Sequence, residues 1–269
     1  MAFNKEGNAF TFGFSIIMVL VVATLLSLAA VSLKPFQKAN QSQEKMKDIL
    51  TSVAVMTEDD DMGDAPPLFE KFITKRLVLN YTGEVIGEFS GKIDENDKSD
   101  PFNIDVKKEY KNIVKKILNQ YKGNKEKQVE ELTKADVNYP LFICEKDGKS
   151  YYVIPMVGTG LWGPLWGYLA LEDDYKTCFG ASFDHKTETP GLGAEIKEPL
   201  FEAQFKGERI LDENGKFVSI KVMKGGAPAD YPHGVDAITG GTITSNGVSE
   251  MLQRTLNIYV RYFEKQKNG

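Results

Sequence analysis

Residues 236–247 read DAITGGTITSNG and stand directly before the last segment with helical periodicity. Seven apolar side chains recur in that segment at the spacing of one helix face: Val248, Met251, Leu252, Leu256, Tyr259, Val260 and Phe263. The quoted stretch therefore lies at a helix N-terminus, where free backbone N–H groups and the helix dipole favour an anion such as a phosphate. The alternative is an ordinary cap, in which Thr244 or Ser245 accepts a backbone N–H.

Two glycine-rich segments come before this stretch. The first, residues 158–163, reads GTGLWG and matches a dinucleotide-binding pattern, but Pro164 and the strand-like YLAL run follow it where that fold needs a helix. We therefore predict a turn between two strands. Its Trp162 either packs in the core or forms a wall for a flat aromatic ligand.

The second glycine-rich segment, residues 185–193, reads HKTETPGLG. One Pro and two Gly within four positions predict a tight loop that exposes backbone amides to a ligand, although a simple connecting loop has the same composition. His185 and Glu188 do not occur in the His-Glu-x-x-His order of a zinc-binding helix, so we predict no metal site.

The remaining patterns indicate an α+β domain. Apolar, strand-like runs flank Asp147-Gly148 and Asn214-Gly215, which predicts two β-hairpins. Residues 106–121 have helical periodicity with Gly123 as a C-terminal cap, and CFGASFD at 178–184 is typical of a strand. Hairpins followed by a final helix predict an antiparallel sheet with flanking helices, not alternating βαβ units.

An uncharged apolar segment lies near the N-terminus. Residues 12–33 read FGFSIIMVLVVATLLSLAAVSL, and these 22 residues span roughly 33 Å as a helix, enough to cross a membrane. A cleaved signal peptide, the alternative, needs a basic start and a shorter apolar run, whereas Lys5 is offset by Glu6. Four lysines follow the segment, and the positive-inside rule would therefore place the domain after them in the cytoplasm. Because that rule is weak for a long domain, the charges do not decide on which side of the membrane the domain lies.

These signals divide the chain into four parts. We predict an N-terminal tail at 1–11, a single uncleaved transmembrane helix at 12–34, a stalk or linker helix at 35–67 and one domain at 68–269. The acidic run EDDD and the Pro66-Pro67 pair end the stalk.

The composition narrows the classes of function. The chain of 269 residues carries 33 Lys and Arg against 38 Asp and Glu, a net charge of −5, which does not favour nucleic-acid binding. Two cysteines, Cys144 and Cys178, exclude a disulfide-stapled scaffold, a four-cysteine zinc site and an iron–sulfur cluster held by four cysteines of this chain. Two histidines, His185 and His233, leave little for a histidine metal cage. Redox chemistry here would depend on an organic cofactor or on a partner's metal.

Four short motifs resemble one known family. Asp236, Thr239, Gly240 and Thr242 are similar to the flavinylation motif of the covalent FMN-binding domain family, which occurs in the C subunit of the sodium-translocating NADH:quinone reductase and in the G subunit of the Rnf complex. That motif is Asp followed by Ser/Thr-Gly-Ala-Thr-x-Thr-Ser, so this chain departs from it at two places. The departures are Ala237, often Gly in the family, and Gly241, usually Ala.

Three further segments match the family in the same order: GLW at 160–162, ETPGLG at 188–193 and KGGAP at 224–228. With the single N-terminal anchor, the resemblance covers essentially the whole chain. The long region between the anchor and the first hairpin, together with KGGAP, favours the C subunit of the sodium-translocating reductase over the Rnf protein.

The resemblance implies a cofactor and its contacts. FMN would be joined by a phosphoester to Thr242, installed by a flavin transferase, with Trp162 and Leu192 as apolar walls of the isoalloxazine. By the resemblance, Glu188, Thr189 and the backbone near Gly191 would line the ring edge or the ribityl chain. The motif residues Asp236, Thr239 and Gly240 would also belong to the cofactor-binding site.

The resemblance also implies a function. The chain would be an electron-transfer subunit, inactive alone, which relays electrons from an iron–sulfur centre of neighbouring membrane subunits to another flavin subunit. The family implies a single-pass protein of the bacterial inner membrane with its flavin domain in the periplasm. Two alternatives stay open: the G subunit of an Rnf-type ferredoxin:NAD oxidoreductase, and a membrane-tethered FMN-binding module that senses redox state.

Overall fold

The computed structural model describes residues 7–268, and the chain divides into two units, Met1–Lys45 and Met46–Gly269. Helix α1 spans Asn8–Ser52 as one continuous helix of 45 residues with Pro35 inside it. Among the described residues, α1 is the one helix whose length and apolar composition suffice to cross a membrane. Residues 1–6 of the predicted tail lie outside the described residues.

The second unit begins within the last turns of α1, where the side chains become buried. Helix α2 follows at Ala65–Phe72. The Pro66-Pro67 pair, expected to end a helix, lies in the first turn of α2, because proline there gives up no intrahelical hydrogen bond. Residues 46–67, assigned to the stalk from the sequence, are thus part of the second unit.

Six strands form one antiparallel sheet in the order β2-β1-β3-β4-β5-β6. The strands are β1 Ile73–Leu79, β2 Val85–Ser90, β3 Tyr139–Lys146, β4 Lys149–Thr159, β5 Pro164–Leu171 and β6 Cys178–His185. Asp147 and Gly148 join β3 to β4 with φ of 53° and 73°, so the first predicted hairpin is confirmed. The predicted turn between β4 and β5 and the predicted strand at 178–184 are confirmed as well.

Alternate side chains of the strands build two hydrophobic clusters on opposite faces of the sheet. On β3, for example, Leu141 belongs to one cluster and Phe142 to the other. The terminal helix α7, Thr242–Asn268, covers the first face, and the Tyr259 hydroxyl donates to Pro140 O there at 2.6 Å. The end of α1 and helix α2 cover the second face.

Helical segments connect the strands. The helix predicted at 106–121 is confirmed, although its middle turn is a π-helix, and Gly123 follows it with φ of 85°. This region contains α3 Val106–Glu109, the π-turn Tyr110–Val114, α4 Lys115–Gln120 and α5 Lys125–Lys134. After β6 come a 3₁₀-helix at Gly193–Lys197, α6 at Pro199–Glu202 and a 3₁₀-helix at Ala203–Phe205.

The prediction of a second β-hairpin, with its turn at Asn214-Gly215, is wrong. A hydrogen-bonded turn forms, but the ladder stops after one isolated bridge between Leu211 and Phe217. The chain leaves its partner strand because Ser219 takes a φ of 63°, which strand residues do not adopt. The residues beyond it form a two-stranded parallel sheet of β7, Lys221–Met223, and β8, Gly234–Asp236.

Candidate functional site

The site centres on the first turn of α7. Ser245 N donates to Gly241 O at 2.8 Å, so Gly241 is the residue that caps the helix. Within residues 7–268, the backbone amides of Thr242, Ile243 and Thr244 have no hydrogen-bond acceptor. Thr242 is exposed, and its hydroxyl makes no hydrogen bond to any described residue. An exposed hydroxyl and three free amides therefore share the positive end of a long helix.

The two hydroxyls that could have capped α7 have other partners. Ser245 Oγ accepts from Ile238 N at 3.2 Å, and Ile238 lies before the helix. Thr244 Oγ1 donates to Glu188 Oε2 at 2.6 Å. The first-turn amides thus stay free for a ligand, while Ser245 holds the preceding backbone and Thr244 binds the carboxylate of Glu188.

Glu188 joins the three motifs of the site. Its side chain is buried, with Oε2 bound to Thr244 and Oε1 accepting from Trp162 N at 2.8 Å. A Cβ added at Gly160 or Gly193 would lie 2.5 or 2.6 Å from the carboxylate oxygens, which explains glycine at both positions. The GLW turn, the ETPGLG loop and the start of α7 therefore meet at one carboxylate, although its predicted contact with a flavin stays a prediction.

The ETPGLG loop brings Leu192 to the turn before α7. Leu192 N and Ala194 N both donate to Thr189 O, at 3.1 and 3.2 Å. Gly191 has a φ of 75°, a conformation that favours glycine. A Cβ on Gly240 would lie 2.5 Å from Leu192 Cδ2, so the Leu192 side chain lies against this glycine.

Four exposed apolar side chains surround the start of α7: Leu161, Trp162, Leu192 and Ile243. Trp162 is 65% exposed and Leu192 is 41% exposed. A cluster of large apolar side chains left in solvent marks a binding surface on a folded domain. The sequence alone did not decide whether Trp162 packs in the core or forms a wall for a ligand. Because its side chain is exposed, it is free to contact a flat ring.

A close crossing of backbones fixes α7 against the sheet, and sequence reasoning missed it. A Cβ on Gly247 would lie 2.4 Å from Thr159 O, and one on Gly158 would lie 2.9 Å from Met251 Cβ. The signal available in the sequence was a glycine inside a strongly periodic helix, since helix interiors disfavour glycine without a packing reason. This contact holds the first turn of α7 beside the GLW turn.

Asp236 is tied to the KGGAP segment. Its Oδ1 accepts from Ala227 N at 2.7 Å, and its own N–H donates to Gln204 Oε1 at 2.8 Å. Thr239 is exposed, and its hydroxyl makes no hydrogen bond within the described part of the chain. The roles predicted for both residues toward a flavin stay predictions.

The two cysteines are free and buried. Burial raises the pKa of the Cys144 thiol to about 12 and that of Cys178 further, so neither forms a thiolate at neutral pH. Among residues 7–268, no group of three or more His, Cys, Asp or Glu side chains could hold a metal ion.

Known proteins resemble this chain over most of its length. A family model described as FMN-binding domain matches residues 160–257, which include all three segments that meet at Glu188. The C subunit of the Na(+)-translocating NADH-quinone reductase of Vibrio campbellii is 34% identical over 248 residues, covering 92% of this chain and 90% of the relative. The chain belongs to the family of these reductase C subunits.

Other members of this C-subunit family are similar to this chain over comparable lengths. The protein of the same name from Neisseria meningitidis serogroup B is 31% identical over 276 residues, covering 98% of each chain. The crystal structure of the family member from Parabacteroides distasonis matches with a TM-score of 0.66 at 35% identity, over 86% of this chain and 96% of that chain. The family resemblance and the predicted fold class, an apolar N-terminal helix followed by an antiparallel-sheet domain with flanking helices, are confirmed.

Proposed function

We propose that this chain binds FMN at the start of α7 through a phosphoester to Thr242. The observation that carries the proposal is the exposed Thr242 hydroxyl beside three free helix-terminal amides, inside the segment that matches the FMN-binding domain. The amides would hold the phosphate oxygens, as helix N-termini do in other phosphate sites. Gly241, a departure from the family motif, leaves the hydroxyl unchanged, and an added Cβ there would lie only 3.1 Å from Ile238 Cγ2.

The apolar side chains around α7 would hold the isoalloxazine, with Trp162 and Leu192 as its walls. Bound FMN supplies one- and two-electron redox chemistry, and the protein contributes its position and surroundings. The other residues proposed to line the cofactor are Glu188, Thr189, Gly191, Asp236, Thr239 and Gly240. A covalent tether through phosphate leaves the ring unaltered and prevents loss of the cofactor.

We further infer that the chain is an electron-transfer subunit of a sodium-translocating NADH:quinone reductase and is inactive alone. Its relatives carry that name, and its two cysteines are too few for an iron–sulfur cluster held by four cysteines. Partner subunits would supply the iron–sulfur centre and the accepting flavin, and a flavin transferase would attach FMN. Helix α1 would anchor the chain in the bacterial inner membrane, with the second unit in the periplasm.

The test is Thr242→Ala, with Thr133→Ala, an exposed threonine of α5, as the control, each expressed as the full chain with a flavin transferase. Flavin fluorescence of the denatured, gel-separated protein reports covalent FMN, and circular dichroism reports the fold. We expect Thr242→Ala to lose all covalent fluorescence and Thr133→Ala to keep it. Thr242→Ala should stay folded because the hydroxyls of Thr244 and Ser245 keep their hydrogen bonds. Covalent flavin retained in Thr242→Ala would overturn the assignment.

A further inference from the structure

A groove lined by lysines lies beside the GLW turn. It has a volume of about 560 Å³ and runs between the helical segment at 105–115 and the turn at 159–164. Its lining includes five lysines, which define the lysine groove: Lys107, Lys108, Lys111, Lys115 and Lys186. One carboxylate, Asp105, also lines it and accepts from Lys108 N at 3.0 Å as the cap of α3.

Three of the five lysines that line the groove have no acidic partner in the described part of the chain. Lys108, Lys111 and Lys186 are exposed and make no ion pair with any of residues 7–268. Some lysines elsewhere are paired, since both Lys127 and Lys134 bridge to Glu130. In a chain of net charge −5, the groove is therefore a local concentration of positive charge.

The lysine groove shares its wall with the candidate flavin site. Thr159 and Gly163 line the groove, and Trp162, the proposed wall of the isoalloxazine, belongs to the same turn. Lys115 Nζ donates to Thr159 Oγ1 at 3.2 Å, which ties the lysine-bearing helix to this turn. A molecule held in the groove would therefore lie next to the segment that carries Trp162.

We propose that the lysine groove docks an acidic segment of the protein that exchanges electrons with this chain; the proposal rests on the function proposed above. Exposed lysines on long side chains attract carboxylates over a distance and speed encounter, whereas small-ligand pockets are mostly apolar with a few fixed polar groups. A concave groove suits a chain segment better than the flat surface of an anionic membrane. Its place beside Trp162 would bring the partner close to the flavin.

The binding test uses the full chain carrying covalent FMN, in detergent, with a poly-glutamate peptide as probe. The groove variant combines Lys108→Glu, Lys111→Glu and Lys186→Glu; the control combines Lys122→Glu, Lys125→Glu and Lys149→Glu, which are exposed lysines outside the groove with the same charge change. We expect the groove variant to lose about tenfold or more in affinity at low salt, and the control to lose little. Equal binding by both variants would overturn the proposal, as would loss of binding to phosphatidylglycerol vesicles without loss of binding to the peptide.

The functional test measures NADH:quinone turnover of membranes containing each variant in place of the wild-type chain, across ionic strength. We expect the groove variant to turn over several-fold more slowly at low salt, with a weaker salt dependence than wild type. Wild-type turnover in the groove variant would overturn the proposal. Covalent FMN is measured on the same membranes. A groove variant that carries full covalent FMN but turns over slowly supports the groove proposal. A wild-type chain that carries no covalent FMN contradicts the proposed function instead.

Discussion

At the residue scale, Glu188 links parts of the site that are far apart in the sequence. Its two oxygens bind the Trp162 amide and the Thr244 hydroxyl, and the Glu188 side chain itself is buried. Because an unpartnered buried polar group is costly, these two hydrogen bonds stabilise the site even without a cofactor.

We expect Glu188→Ala to lower the free energy of unfolding by about 2–4 kcal/mol, because it leaves the Trp162 N–H and the Thr244 hydroxyl without partners. Glu188→Gln should cost about 1 kcal/mol, since its oxygen still accepts from Trp162 and its amide can donate to Thr244. Urea denaturation of both variants measures the difference. Equal losses would show that charge, not hydrogen bonding, is what stabilises the junction.

Glu202, at the end of α6, makes stability depend on pH. The pKa of its carboxyl is raised from 4.5 to about 8, mainly by burial and to a smaller extent by Glu58, Asp48 and Glu198, while the hydrogen bond from Phe183 N lowers it. The unfolded chain ionises near pH 4.5, while the folded chain keeps the proton until about pH 8. The stabilising contribution is therefore complete below pH 4.5 and is lost as the pH rises toward 8.

The variant Glu202→Gln removes this titration and keeps an acceptor for Phe183 N. Between pH 4.5 and 8 we expect its free energy of unfolding to gain on wild type by an amount of order 3 kcal/mol. Urea titrations of both proteins across that range provide the measurement. A constant difference between them would mean that Glu202 is ionised in the folded chain at neutral pH.

At the element scale, α7 crosses β4 at Gly247, where helix propensity and steric contact predict opposite effects of an alanine substitution. Helix propensity predicts that alanine stabilises a helix interior by about 1 kcal/mol. The structure predicts the opposite, because the added Cβ would lie 2.4 Å from Thr159 O, a backbone atom that cannot easily move. Steric overlap of this kind costs about 1–3 kcal/mol.

We expect Gly247→Ala to destabilise the protein by up to about 2 kcal/mol net, while the exposed neighbour changed in Asn246→Ala should stay within about 0.5 kcal/mol of wild type. Thermal unfolding of both variants, followed by circular dichroism, makes the comparison. A stabilised Gly247→Ala protein would show that α7 does not approach β4 this closely.

Local sequence signals predicted which segments form helices and strands better than they predicted which strands pair with each other. The Asp147-Gly148 turn gave the right hairpin because its two arms pair directly. The Asn214-Gly215 turn did not, since Ser219 diverts the chain and β7 pairs with β8 across a long connection. Glycines and the proline identified the loops of the site, but no local pattern shows that Glu188 reaches Thr244.

At the scale of the whole molecule, the second unit begins earlier than the composition indicated. The end of α1 is polar enough to be taken for a stalk, yet Ile49, Leu50 and Val53 are completely buried in the second hydrophobic cluster. The sequence could not reveal this, because the partners of these side chains, such as Phe69 and Phe142, lie on other elements.

Two truncations test where the second unit begins. Deletion of residues 1–45 should release a soluble domain that unfolds cooperatively, because it leaves the second unit whole. Deletion of residues 1–67 also removes four large buried apolar side chains, Ile49, Leu50, Val53 and Met56, at a cost of about 6 kcal/mol or more. Since whole domains have about 5–15 kcal/mol of stability, we expect that fragment to aggregate or unfold. Equal solubility and urea midpoints for the two fragments would place the boundary at residue 68.

The attachment of FMN to Thr242 is tested most directly by peptide mass mapping of the full chain, purified from its native membrane. We predict that the peptide containing residues 236–247 is heavier by one FMN less water, and that fragmentation places the added mass on Thr242. An unmodified peptide, or the added mass on Thr239 or Thr244, would contradict the assignment.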